Sequence, residues 1–189
     1  MAVQTQRTVN GVDVKALKET IMAVQEEPGL GDFEFRAANR WINGGHNRTS
    51  VQSFYGAGQE DTSRAKPFVL DNDEPGVLLG EDNGANPVEQ VLHALAGCLT
   101  TSLVYHAAAR GVEVEAVEST LEGTLDLRGF LGISDEVRNG YEQIKVKFTI
   151  KGDLTDQEAE ELGELGRRFS PVFDIVTNPV PVSVEVERR

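Results

Sequence analysis

Apolar side chains recur at helical spacing in three stretches of the chain. The first, residues 12–27, follows the candidate caps Asn10 and Asp13 and predicts an amphipathic terminal helix. The second, residues 87–110, is apolar on most faces, which is typical of a helix that is buried on several sides. The third, residues 155–168, begins with the sequence of a capping box. We expect the second segment to be the central helix of the fold.

Alternation of apolar and polar residues predicts strands at residues 112–127 and 142–151. Further strands are expected at residues 33–42, 49–55, 67–70 and 180–187, with a Gly-containing turn between the first two. Residues 56–66 and 128–140 are predicted to be loops, and residues 71–86, with a small apolar island, to be a long ordered loop of the kind that often carries function. The order of elements predicts an α+β fold with antiparallel sheet around one buried helix.

The charge of the chain narrows the range of partners. The 189 residues carry a formal net charge of −13, which repels phosphate backbones, so we expect no nucleic-acid binding. Anionic membrane surfaces are disfavoured for the same reason, and no uninterrupted apolar run reaches the roughly 18–20 residues that a bilayer requires. The single cysteine cannot form an intramolecular disulfide, and no secretory signal is evident. We therefore expect a cytoplasmic protein.

Cys98, in the middle of the predicted central helix, is the main candidate for chemistry. It is either a small core residue or a reactive thiol. The two differ because a reactive thiol needs a depressed pKa and access to its substrate. His93 shares a helix face with Glu89, so the two either form a hydrogen-bonded pair or simply support the helix. The histidines at 46, 93 and 106 lack metal-ligand spacing, and no nucleotide-binding motif occurs, so we expect no metal and no cofactor.

Two segments resemble the OsmC/Ohr family of stress-induced hydroperoxide-reducing proteins. They are NPVEQVLHALAGCL at 86–99 and RFSPVFDIVTNPVPVSVEV at 168–186. The resemblance implies an intertwined α+β homodimer with a long helix from each chain at its centre and two thiol sites at the subunit interface. It divides the chain into an N-terminal helical extension, residues 1–32, and an OsmC-like domain, residues 33–189.

The resemblance also assigns roles to residues near the thiol. Cys98 takes the position of the cysteine that attacks the peroxide, and Ser170, before a proline, takes the position of the resolving cysteine. Because serine cannot form a disulfide, the two-cysteine cycle is not available to this chain.

The family's glutamate and arginine are matched less closely. The glutamate position falls on Val88, and Glu89, one residue later and about 100° around the helix, is the candidate for this catalytic role. The family's arginine follows a Gly-Gly turn; here Arg48 is the candidate to hold the thiolate, and His46 is the reserve. His46 and His93 are the candidate binding histidines.

Three functions remain open from the sequence. The first is a one-cysteine, thiol-dependent reductase of organic hydroperoxides, in which an external thiol reduces oxidised Cys98. The second is a non-catalytic protein that binds a small apolar or acyl ligand on the same dimeric fold. The third is an enzyme of another class that uses Cys98 for thiol transfer. A depressed Cys98 pKa would favour the first and third, and an inert thiol the second.

Overall fold

The computed structural model describes residues 8–188, so the first seven residues of the predicted extension lie outside the described part. The chain forms two compact units, one up to Val91 and one from Leu92. Both combine helix with antiparallel strands, and a long helix follows the first set of strands. The predicted mixed fold of antiparallel sheets and a long central helix is confirmed.

The first unit begins with a hairpin that the sequence analysis did not predict. Strands β1 (Thr8–Val9) and β2 (Val12–Asp13) pair across Asn10 and Gly11, both of which have positive φ. Asn-Gly favours this backbone conformation, because glycine has no Cβ and asparagine tolerates the left-handed region. Helix α1 (Val14–Glu26) follows directly.

Asp13, rather than Asn10, caps helix α1. Its carboxylate accepts the backbone N–H groups of Lys15 at 3.0 Å and Ala16 at 3.1 Å. No residue of α1 is buried, and Ile21 is exposed. The helix is therefore the one that the sequence predicts, but nothing within its own unit fully covers its apolar stripe.

Six further strands of the first unit form two sheets of three strands each. One has the order β3-β6-β7, made of Glu34–Phe35, Phe54–Gly56 and Gln59–Asp61. The other has the order β4-β5-β8, made of Ala38–Asn43, His46–Val51 and Phe68–Asn72.

The predicted strands 33–42 and 49–55 are wrong as single strands, because each divides between the two sheets. The predicted loop 56–66 is also wrong at β7. The strand predicted at 67–70 is confirmed, and so is the ordered connection 71–86, which contains one turn of 3-10 helix at Gly76–Leu78.

Helix α2 (Pro87–Arg110) has the predicted bounds and passes from the first unit into the second. The core of the second unit forms where α2 meets helix α4 (Asp156–Arg168), and Leu103, Ala107 and Leu162 are its buried centre. Strands β9 (Ala116–Thr124) and β10 (Gln143–Lys151) pair over nine residues, and their inward side chains pack on this core.

The remaining differences lie in the second unit. A short helix α3 (Leu127–Phe130) occurs in the connection 128–140, and helix α5 (Pro171–Thr177) was not predicted. The last predicted strand, 180–187, is wrong for the chain on its own, because the structure gives these residues no ladder. Its alternating valines are exposed instead.

By length and composition, α2 could cross a membrane. The sequence analysis found no uninterrupted apolar run of this length. Helix α2 nevertheless meets the criterion for a membrane span when its hydropathy is averaged over 18 residues. Core helices of soluble proteins pass the same test, and Leu95, Leu99 and Leu103 of α2 are buried. The criterion alone therefore does not assign a membrane segment.

Candidate functional site

Cys98 lies midway along α2 and is partly exposed, while the next residue, Leu99, is buried. Ser102 lies one turn further along on the same face as the thiol. The Ser102 hydroxyl donates a hydrogen bond to the backbone carbonyl of Phe169 at 3.1 Å. That carbonyl belongs to the segment after α4, so the hydrogen bond holds this segment against the face of α2 that carries Cys98.

Close packing holds the end of α4 against the same stretch of α2. A Cβ atom on Gly166 would lie only 3.0 Å from the Leu99 carbonyl oxygen and 3.3 Å from the Leu103 Cβ. Glycine is therefore what allows the two helices to approach this closely. Gly166 and Phe169 together place the start of the next segment beside the helical turns that carry the thiol.

Ser170 is the first residue of that segment, and it is 2% exposed. It caps α5, because its Oγ accepts the backbone N–H of Phe173 at 3.1 Å. Pro171 follows as the first helical residue, a position where the missing N–H costs nothing. The residue at the resolving-cysteine position is therefore a buried structural cap beside α2.

A histidine borders this region. The rings of His106 and Phe169 stack with their centroids 4.1 Å apart, and Arg110 donates to the His106 carbonyl at 3.0 Å. Burial, followed by the charge of Arg110, lowers the pKa of His106. The imidazole is consequently neutral at pH 7 and adds no positive charge to this end of α2.

Arg48 and His46 lie in the first unit, on strand β5, and both contact a carboxylate that the sequence analysis did not single out. Arg48 donates through Nε to Asp71 Oδ1 at 2.8 Å and through Nη2 to Oδ2 at 3.2 Å. His46 Nε2 lies 2.8 Å from Asp71 Oδ1. The hydrogen bonds from Arg48, which have the larger effect, and from His46 lower the pKa of Asp71. The positive charge of Arg48 is therefore already balanced within its own unit.

Glu89 is used by the start of α2. The Asn86 N–H donates to Glu89 Oε2 at 2.9 Å, and the Glu89 N–H donates to Asn86 Oδ1 at 2.9 Å. This reciprocal pair is a capping box, with Asn86 as the cap of α2. His93 lies one turn further along and is exposed. The carboxylate of Glu89 points back to the cap, which supports the helix rather than a catalytic site.

The connection 71–86 is organised around the carboxylate of Asp73, which is 2% exposed. It accepts the backbone N–H groups of Glu74, Glu81 and Asn83, together with the Asn83 side-chain amide. Burial raises the pKa of Asp73, but these hydrogen bonds outweigh burial and the net pKa is lowered. The connection is thus held by an ionised buried carboxylate, as an ordered loop requires.

The described residues, 8–188, contain no group of three or more His, Cys, Asp or Glu side chains arranged to hold a metal ion. Two of the candidate site residues are joined through the carboxylate of Asp71. Arg48 and His46 share that carboxylate, whereas Cys98 and Ser170 belong to the second unit.

A sequence model of the OsmC-like protein family matches residues 80–185. This range includes α2 with Cys98, the β9–β10 pair and Ser170. No curated protein matches the chain significantly.

Solved structures give an independent comparison. An organic hydroperoxide resistance protein, OsmC, from Legionella pneumophila superposes with a TM-score of 0.53 at 20% identity, over 75% of this chain and 88% of that one. An OsmC-like protein from Mycoplasma pneumoniae gives 0.57 at 13% identity, over 77% and 89%. An organic hydroperoxide resistance protein from Elizabethkingia anophelis gives 0.54 at 15%, also over 77% and 89%.

At such low identities the structural likeness establishes the fold alone. The family match is a separate finding, because it spans more than half of the 189 residues and includes both Cys98 and Ser170. Taken together, the match, the long helix with its single thiol and the shared fold show that the chain belongs to the OsmC-like protein family.

Proposed function

We propose that this chain is a one-cysteine, thiol-dependent reductase of organic hydroperoxides, with Cys98 as the reacting group. The family supports a stress or redox role at a coarse level. The one-cysteine mechanism is supported by the surroundings of Cys98 and Ser170. Cys98 is the only thiol of the chain and is partly exposed, while Ser170, at the resolving position, is a buried cap.

The reaction follows from the chemistry of one thiol. The Cys98 thiolate attacks a peroxide oxygen, so that an S–O bond forms, the O–O bond breaks and the alcohol leaves after taking up a proton. The sulfur is thereby oxidised to a sulfenic acid. An external thiol then attacks the Cys98 sulfur, forms a mixed disulfide and releases water. A second external thiol attacks the external sulfur of that disulfide, so that a disulfide of the two external thiols forms and the Cys98 thiol is released.

Arg48 is the proposed cation that favours the thiolate, with His46 as the reserve. A nearby positive charge lowers a thiol pKa, because it favours the ionised form. Asp71 balances Arg48 in the resting structure, so this role requires Arg48 to share its charge between Asp71 and the thiolate. Glu89 is proposed only as a positioning residue, through the start of α2.

We also propose that the working form is a homodimer in the cytoplasm, with a small hydroperoxide and an external thiol as its partners. Support comes from large apolar side chains that a single chain leaves open. Trp41 is 71% exposed, and Val182, Val184 and Val186 are each at least 80% exposed. Sedimentation should give twice the chain mass of 20.6 kDa. A stable monomer in this experiment would contradict the proposed homodimer.

Consumption of an organic hydroperoxide with a small thiol as reductant tests the activity. We expect the wild-type protein to turn over and Cys98→Ser to lose all turnover, because no other thiol can replace Cys98. Ser102→Ala, one turn away on the same helix, is the matched control and should keep the thiol chemistry. Turnover by Cys98→Ser would contradict the proposal. An inert Cys98 would favour the binding-protein alternative.

A new cysteine tests the position of Ser170. In Ser170→Cys, the Cys98 sulfenic acid should be attacked by the second thiol, forming an intrachain disulfide and releasing water. Thiol titration and non-reducing electrophoresis would detect it. Thr177→Cys, at the other end of α5 and exposed, should form none. If the folded Ser170→Cys variant forms no disulfide, Ser170 does not occupy the resolving position.

A further inference from the structure

The sheet β4-β5-β8 of the first unit carries a cavity, and Arg48 is the one residue of its lining that the peroxidase proposal uses. Its volume is about 380 Å³, within the range of about 300–1,000 Å³ that is typical of small-molecule sites. The residues that line it are Ala38, Asn39, Arg40, Arg48, Ser50 and Val69. The wall therefore combines two guanidinium groups with apolar and small polar side chains.

The charges along this wall are set by the register of the strands. Arg40 lies directly opposite Arg48, and Arg48 lies directly opposite Asp71. Directly opposed residues project from the same face of a sheet, and like charges in that position repel each other. The row therefore holds two positive charges and one negative charge, which leaves one positive charge without a balance.

Arg40 carries that unbalanced charge. Arg48 is balanced by Asp71 through two hydrogen bonds, whereas the exposed guanidinium of Arg40 has no ion pair, hydrogen bond or aromatic ring partner within residues 8–188. By contrast, Arg36 in the same unit is held by Glu34 and Glu60. In a chain with a net charge of −13, carboxylates are abundant, so an unpaired guanidinium in a cavity wall points to a ligand charge.

We propose that this cavity binds a small organic carboxylate. The carboxylate pairs with the Arg40 guanidinium, which offers a planar fork of donors that matches its two oxygens. The apolar body of the ligand lies against Ala38 and Val69, which line the same cavity. An inorganic anion would satisfy Arg40 alone, so the apolar wall favours a carboxylate with a short hydrocarbon part.

Binding at this cavity involves no step at Cys98, so it can be tested apart from the peroxidase proposal. The probes are hexanoate, acetate, inorganic phosphate and uncharged hexanamide, added to the reduced full-length protein at low salt. Calorimetry measures affinity, and amide chemical shifts locate the site. We expect hexanoate to bind most tightly, acetate and phosphate more weakly, and hexanamide weakest, with shifts at residues 38–40, 48–50 and 69.

Substitution of Arg40 provides the decisive comparison. Arg40→Gln should weaken hexanoate binding by at least about tenfold, because a charge-assisted hydrogen bond is lost. Arg40→Lys should fall between Arg40→Gln and the wild type, because it keeps the charge and loses the fork. Lys66→Gln, which removes the same charge from an exposed position of this unit outside the cavity, should bind as the wild type does.

Several results would overturn the inference. Equal binding of hexanamide and hexanoate would show that charge is not recognised. Unchanged affinity in Arg40→Gln would show that Arg40 does not bind the carboxylate. An equal loss of affinity in Lys66→Gln would show that only net charge matters. Tighter binding of phosphate than of hexanoate would show that the apolar wall takes no part. A wild-type protein that binds hexanoate but does not turn over hydroperoxide would contradict the peroxidase proposal alone.

Discussion

The two units of this chain differ in the size of the buried apolar core that each forms. In the second unit, α2, α4 and the β9–β10 pair enclose a core in which Leu103 and Ala107 are fully buried. In the first unit every residue of β4 is exposed, and Phe68 on β8 is 61% exposed. Because a sheet needs at least one covered face, we expect the sheets of the first unit to depend on a covering surface more than the core of the second unit does.

This difference suggests where stability and assembly reside. The second unit can be expected to respond to core substitutions like an ordinary globular domain. The first unit should respond to substitutions on its sheet faces in a way that depends on protein concentration, because binding stabilises a folded state by mass action. The following variants test that contrast, from the largest expected effect to the smallest.

Leu103→Ala should have the largest effect on stability. Leu103 is fully buried at the centre of the second unit, so truncation leaves a cavity and should lower the free energy of unfolding by about 2–5 kcal/mol. Urea unfolding, followed by circular dichroism, measures it. The loss should be the same at low and high protein concentration. A loss below about 1 kcal/mol would show that this core is loosely packed.

Phe68→Ala is the counterpart in the first unit. If the exposed ring contacts no second subunit, its removal should lower the free energy of unfolding by less than about 0.5 kcal/mol. If the sheet is covered in the proposed homodimer, the melting temperature of the variant should instead fall further as the protein is diluted. Thermal unfolding at several concentrations separates the two cases. No dependence on concentration would contradict the contrast between the units.

Two glycines of α4 give a matched pair. Gly166→Ala should destabilise by about 1–3 kcal/mol, because its Cβ would lie 3.0 Å from the Leu99 carbonyl oxygen. Gly163→Ala meets nothing within 4 Å and should stabilise by up to about 1 kcal/mol through helix propensity alone. Equal effects in the two variants would show that α4 does not press on α2 at Gly166.

The smallest effect concerns the acid stability of the first unit. Arg48 and His46 lower the pKa of Asp71, so the folded state favours the ionised carboxylate. This contribution is present above the unfolded pKa and is lost as the pH falls through the lower folded pKa. Asp71→Asn should therefore lower stability at pH 6–7 and have a progressively smaller effect in acid, below about pH 4.

Asp32→Asn is the control for this pH dependence. Asp32 is exposed, lies in the same unit and makes no side-chain ion pair within the described residues. Thermal unfolding of both variants between pH 3 and pH 7 provides the measurement. If Asp71→Asn and Asp32→Asn follow the same profile, Asp71 gains nothing from Arg48 and His46.

Local signals in the sequence were enough for the long helices. Asn86, Pro87 and Gly111 set the ends of α2, and Thr155 with Glu158 forms the predicted capping box of α4. The hairpin at Asn10-Gly11 carried an equally local signal, a positive-φ pair between valines, and could have been predicted. The start of α5 at Ser170 likewise has the sequence of a capped helix.

Non-local pairing accounts for what the sequence could not supply. The sequence predicts one strand over residues 33–42, but its two halves pair with different strands, and local sequence says nothing about partners. Residues 180–187 alternate between apolar and polar side chains, yet they have no ladder with any of the described residues 8–188. Arg48 was a candidate from its place after Gly44-Gly45, whereas its partner, Asp71, depends on the register between β5 and β8.

The reactivity of Cys98 tests the central claim most directly. Reduced protein would be mixed with a small excess of organic hydroperoxide, and the mass of the intact chain followed over seconds with a sulfenic-acid trap. The account predicts that Cys98 gains one oxygen atom much faster than a free thiol does, and that Cys98→Ser gains none. Oxidation no faster than that of a free thiol would contradict the account.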